Sequence, residues 1–155
     1  MIQRIQSLFL LISTILIASL FFIPLAKLLS VSSVTFDIYF NGIFDISKNI
    51  KIETDTITIF ILLSIILIIS LFSLFFYKKR ILQIRLIVFN ILLLFGLVFL
   101  VYFVSFQALK EIEAEILVFS SAITYIPIIS IIFNLMAIRN IKKDEKLVKS
   151  YDRIR

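Results

Sequence analysis

Four stretches of the chain, Ile5 to Ala26, Thr56 to Tyr77, Leu86 to Leu109 and Ile116 to Ile138, contain no Asp, Glu, Lys or Arg and are dominated by Leu, Ile, Phe and Val. Each holds 22 to 24 residues. At about 1.5 Å of rise per residue, any of them crosses a hydrocarbon core of roughly 30 Å as a helix. The pattern predicts an all-α membrane protein, a four-helix transmembrane bundle with spans over about 5–28, 56–77, 82–109 and 115–139, in one domain over 1–155. The connections leave no room for a separate soluble domain.

Between the first two spans, over 30–55, the period changes. Val34, Phe36, Ile38 and Phe40 alternate with Thr35, Asp37, Tyr39 and Asn41 as strand residues do. Asn41-Gly42 suits the positive φ angles of a two-residue hairpin turn, which would set Phe40 opposite Ile43 and Tyr39 opposite Phe44. A third short strand is expected through Ile50 and Ile52. This small hairpin offers Tyr39, Phe40, Ile43 and Phe44 as a docking surface for a partner; alternatively its apolar face covers the helix ends, since an isolated hairpin is marginal.

Basic residues set the orientation, because Lys and Arg accumulate on the cytoplasmic side. Arg4, Lys78, Lys79, Arg80, Arg85 and seven residues of the tail lie on one side; only Lys27, Lys48, Lys51 and Lys110 lie on the other. Acidic residues divide the opposite way, three against seven. Both termini are therefore expected in the cytoplasm and the hairpin outside. The first run reads as a retained anchor, because 22 residues exceed a signal-peptide core of about 7 to 15 and Pro24-Leu25-Ala26-Lys27 is a poor cleavage site.

With 61% apolar residues, lipid is the expected solvent. Neither Cys nor His occurs, which removes the usual ligands of haem, zinc, copper and iron–sulfur groups, so no cofactor and no metal site is expected. Proton relays commonly use ionisable groups, and none lies within the four runs. No pair of loop carboxylates has a spacing that supports catalysis, and no catalytic residue is assigned. The polar residues that remain inside are mild. Asn90 lies five residues past Arg85, and Asn134 five before Arg139; the two are predicted at one depth, joined by an amide hydrogen bond between the third and fourth helices. Pro127 is expected to kink the fourth helix by freeing the carbonyl of Ile123. Gly96 suggests a close approach of a neighbouring backbone, and Thr14 with Ala18 a small-residue face.

The short turn before the third span makes the second and third helices antiparallel neighbours. Its cluster Lys78, Lys79, Arg80 and Arg85 fixes topology and is placed to meet anionic lipid headgroups. The tail over 140–155 has neither Gly nor Pro, so the fourth helix should continue into the cytoplasm. There Ile141, Leu147, Val148, Tyr151 and Ile154 form an apolar arc suited to a partner or the membrane surface. Its charge alone does not argue for nucleic acid.

The opening Met1-Ile-Gln-Arg-Ile-Gln6 and the closing Ile141-Lys-Lys-Asp-Glu-Lys-Leu-Val148 and Asp152-Arg-Ile-Arg155 motifs resemble small four-helix proteins of Bacteroidota, domain-of-unknown-function family 4293. The resemblance spans the chain and implies a multi-pass protein of a Gram-negative inner membrane, with no activity and no catalytic residues. Ile154 stands where the family pattern leads one to expect Leu. Taken together, the sequence points to a non-catalytic accessory subunit or assembly factor whose partners are lipids and other integral membrane proteins. The alternatives are a small oligomeric transporter or channel and, third, a lipid-binding protein.

Overall fold

A computed structural model describes residues 2–30, 35–45, 50–52, 56–111 and 114–152. In chain order these form α1 (Ile2–Ser19), β1 (Ala26–Ser30), β2 (Thr35–Tyr39), β3 (Gly42–Asp45), β4 (Ile50–Ile52), α2 (Ile57–Phe75), a 3-10 turn (Phe76–Lys78), α3 (Arg80–Glu111), β5 (Ala114–Phe119) and α4 (Ser121–Asp152). Among the described residues, three helical stretches, Ile57–Phe75, Arg80–Lys110 and Ala122–Glu145, are long and apolar enough to cross a membrane; Gln6–Ser19 is apolar but shorter. The helices pack in sequence, with α1 against α2 and α4, and α3 against α2 and α4.

Buried positions recur at alternating intervals of four and three. They are Gln6, Leu10, Ser13 and Ile17 in α1, with Leu20 just past its end; Ile59, Leu63, Ile66, Ser70 and Ser73 in α2; Gln83, Ile87, Asn90, Leu94, Leu97 and Val101 in α3; and Ile123, Pro127, Ser130, Asn134, Ala137, Ile141 and Asp144 in α4. A 3.5-residue repeat keeps one seam of each helix facing its neighbours, as in a coiled coil. The opposite faces expose Leu11, Ile15, Phe72, Leu92, Phe99 and Ile132. Polar residues thus occupy much of the interior while large apolar ones point outward, the arrangement lipid favours.

The first predicted span is too long. Helix α1 stops at Ser19, where Leu20, Phe21 and Phe22 tighten into i to i−3 bonds and the Ser19 hydroxyl donates to the Leu16 carbonyl at 2.7 Å. Pro24 then has no N–H to continue a helix. Leu25 N–H donates to Ile38 O at 2.7 Å, and β1 begins. The start of the fourth span is corrected in the same way. Residues Ala114–Phe119 form β5, and α4 begins only at Ser121, with Ser120 Oγ accepting the Ala122 N–H at 3.4 Å as a helix cap. Apolar runs of this length do not distinguish a helix from a helix joined to a paired strand.

The anticipated hairpin is present within a larger antiparallel sheet of order β4-β3-β2-β1-β5. Its register differs from the prediction, with Tyr39 opposite Gly42 and Ile38 opposite Ile43, so that Phe40 and Asn41 form the turn. Gly42 takes the left-handed region at φ 152°, and this slip puts Ile38 and Ile43 together on the buried face. That face, with Ala26 and Leu28, packs on Ala108 near the end of α3. Phe119 stacks on Tyr102 with ring centroids 3.9 Å apart. The sheet therefore sits on the end of the helical body where α1 and α4 stop short of α3.

Candidate functional site

The apolar interior is divided. Leu10, Ile87, Ala137, Ile138 and Ile141 form one cluster, with Leu74 packed against it. Ile17, Ile66, Leu94, Leu97 and Ile123 belong to another, nearer the sheet. Between them, on every helix, the seam turns polar, with Ser13 and Thr14 from α1, Ser70 from α2, Asn90 from α3, and Ser130 and Asn134 from α4, all at most 7% exposed. Thr14 donates to the Leu10 carbonyl at 2.8 Å, so Ser70 is the donor across their 2.6 Å hydroxyl contact, which joins α1 to α2. Ser13 Oγ donates to the Ser130 carbonyl at 3.4 Å, joining α1 to α4. Toward the 3-10 turn, Gln83 Nε2 donates to the Ser73 carbonyl at 3.0 Å and ties α3 to α2.

Asn90 and Asn134 are both 1% exposed and fall in this layer. The bond between them is not made. Asn90 Oδ1, Asn134 Nδ2 and Ser130 Oγ are enclosed without a hydrogen-bond partner, leaving an acceptor, a donor and a hydroxyl within the polar layer. Buried polar atoms are almost always paired, and such groups mark places where a water or a polar ligand is held. Pro127 lies buried within α4, which continues through it. Gly96, by contrast, admits no neighbour: a Cβ there would meet nothing within 4 Å, because the residue lies off the seam between Leu94 and Leu97.

A second polar site lies at the opposite end from the sheet. Lys79, Arg80 and Arg85 line an open cleft of about 420 Å³ with Ile81, Leu82 and Glu145. The structure thus gathers three of the four basic residues singled out in the turn; Lys78 closes the 3-10 turn beside them. Nearby, Gln6 Nε2 donates to Asp144 Oδ2 in a buried contact between α1 and α4, with Asp144 Oδ1 left unpartnered. Among the described residues no group of three or more acidic side chains could hold a metal ion.

The two predicted docking surfaces shrink. Ile43 is fully buried, and Phe40 packs between Phe21 at 5.1 Å and Phe60 at 5.6 Å, measured between ring centroids. Only Tyr39 and Phe44, ring to ring at 5.6 Å, remain on the other face. In the tail, Ile141 is buried against Leu10 and Ile87. The positions of Leu147, Val148 and Tyr151 lie on the α4 backbone, and Ile154 lies outside the described residues. Sequence reasoning missed Gln6, Ser13, Ser70 and Gln83, and placed Asp144 among the tail charges without its contact to Gln6. The signal was available in their spacing, since Gln6 and Ser13, and likewise Gln83 and Asn90, stand one heptad apart.

The family model for domain of unknown function 4293 matches residues 2–154, essentially the whole chain, and the chain belongs to that family. No curated protein matches it.

Proposed function

We propose that this member of family 4293 is a four-span bundle of the bacterial inner membrane, with both termini in the cytoplasm, acting as a non-catalytic accessory subunit or assembly factor of a larger membrane complex. One observation carries the reading. Strand β5 is an edge of the sheet, joins directly to α4, and exposes Ile116 and Val118 at 53% and 46%. An apolar edge strand beside a membrane is a template for pairing, and open edges are not left facing lipid. The Lys27 ammonium and Asp37 carboxylate, 3.8 Å apart on the same face of the sheet, add a polar rim.

The test is to tag the C-terminus at the native locus, solubilise mildly and identify what co-purifies in proportion. A stoichiometric membrane partner, lost on Ile116→Lys with Val118→Lys, supports the role; a lone monomer from gently treated membranes ends it. The layer of unpartnered Asn90, Ser130 and Asn134 atoms favours a second reading, a small transporter or channel. Flux through liposomes that disappears on Asn90→Leu or Asn134→Leu would put that reading first.

A further inference from the structure

We infer that the cleft between the start of α3 and the tail of α4 binds the phosphodiester headgroup of an acidic phospholipid. This goes beyond the accessory role, which it does not require, and rests on the membrane topology proposed above. Three observations converge. Helix α3 begins at Arg80 with no acidic residue in its first turn, although unpaired N–H groups and the dipole make a helix start the place for a negative group. Instead Lys79, Arg80 and Arg85 surround it, and the one carboxylate in the lining is Glu145 from α4. Cation is thus stacked on the positive end of a dipole, an arrangement that an anion relieves.

The cleft's aliphatic lining identifies the anion as part of a lipid. Ile81 and Leu82, 61% and 38% exposed, stand beside the cations. A free phosphate has no use for two exposed aliphatic side chains, whereas a phospholipid lays its glycerol and first methylenes there. Depth agrees, because the charge-free run to Leu109 starts at Leu86, immediately after Arg85, which puts the three cations at headgroup level in the proposed topology. Arginine's planar fork matches two phosphate oxygens at once, and Lys79 adds a point charge. The cleft of about 420 Å³ falls within the roughly 300–1,000 Å³ range of small-molecule sites.

The experiment uses the full chain, purified in mild detergent and exchanged into phosphatidylcholine nanodiscs doped with phosphatidylglycerol, with bound lipid counted by native mass spectrometry. Phosphatidylglycerol is expected to be retained in preference to phosphatidylcholine, and Arg85→Gln should weaken retention by about tenfold, the scale of one charge-assisted pair. Glu145→Gln should strengthen it, a gain that a merely structural role does not give. Thermal unfolding in pure phosphatidylcholine confirms that each variant is folded. Equal retention of both lipids, or Arg85→Gln and Glu145→Gln both without effect, overturns the inference. In a separate arm inorganic phosphate competes; if it displaces the lipid at equal concentration, the site is one for free phosphate and the lipid assignment fails.

Discussion

Thr14 and Ser70 show what a single polar contact contributes in this setting. Their hydroxyls meet 2.6 Å apart between α1 and α2, with Thr14 held by its own helix at Leu10. Interhelical hydrogen bonds in membrane proteins average about 0.6 kcal/mol and reach about 1.7. A double-mutant cycle of Thr14→Val and Ser70→Ala, read by unfolding in mixed micelles, should return a coupling of about that size. The Gln6–Asp144 contact should behave more asymmetrically. Gln6→Leu leaves a buried carboxylate without its donor and is expected to cost about 1–3 kcal/mol, while adding Asp144→Leu recovers most of the loss. The same denaturation assay reads both. Asn90 and Asn134 were legible in the sequence because an amide stands out in a charge-free run. Asp144 was not, because it lies among Lys142, Lys143 and Lys146 where a carboxylate looks solvated, and Gln6 stands at the very edge of its run beside Arg4, so that only its heptad spacing to Ser13 marked it as interior.

At the scale of elements, the start of β1 and most of β5 were hidden at the ends of apolar segments that read as helix. Hydropathy measures solvent preference and is indifferent to whether the backbone closes its hydrogen bonds within a helix or across a sheet. Pro24 was the visible stop signal for α1; for β5 the sequence offered only Ile116 and Val118 among a longer apolar stretch. The observed register is open to a direct test, because the native chain has no cysteine. Lys27 and Val118 are directly opposite, within the Cα separation a disulfide spans. Lys27→Cys with Val118→Cys should therefore cross-link under mild oxidation, and Lys27→Cys with Ile116→Cys should not. Absence of the first cross-link would restore a helix over 115–120. Within α3, Gly96→Ala should be tolerated and should stabilise by about 0.5–1 kcal/mol, since the added methyl meets nothing and glycine is a poor helix former. Unfolding of the variant checks it.

Over the whole molecule, the sheet and the unequal helix lengths belong together. Helix α3 runs 32 residues while α1 has 18. The sheet fills the shoulder left where α1 and α4 end early, with Phe119 reaching down to Tyr102. An 18-residue helix is about 27 Å long, just short of the hydrocarbon core, and the Leu20–Pro24 turn completes the crossing in the proposed topology. Three helices of the described residues qualify as spans by length and composition, so the four-span proposal rests on whether α1 is the fourth. It packs against both α2 and α4, with Leu8, Leu11 and Ile15 exposed on the far side, as the proposed crossing requires. Single cysteines at Gln3, Asn41, Lys79 and Ser150, probed with a membrane-impermeant maleimide in spheroplasts, decide the matter. Four spans require Asn41→Cys to label from outside, and Gln3→Cys, Lys79→Cys and Ser150→Cys only after the membrane is permeabilised. Labelling of Gln3→Cys from outside with Ser150→Cys still protected would mean three spans, and the four-span arrangement would be wrong.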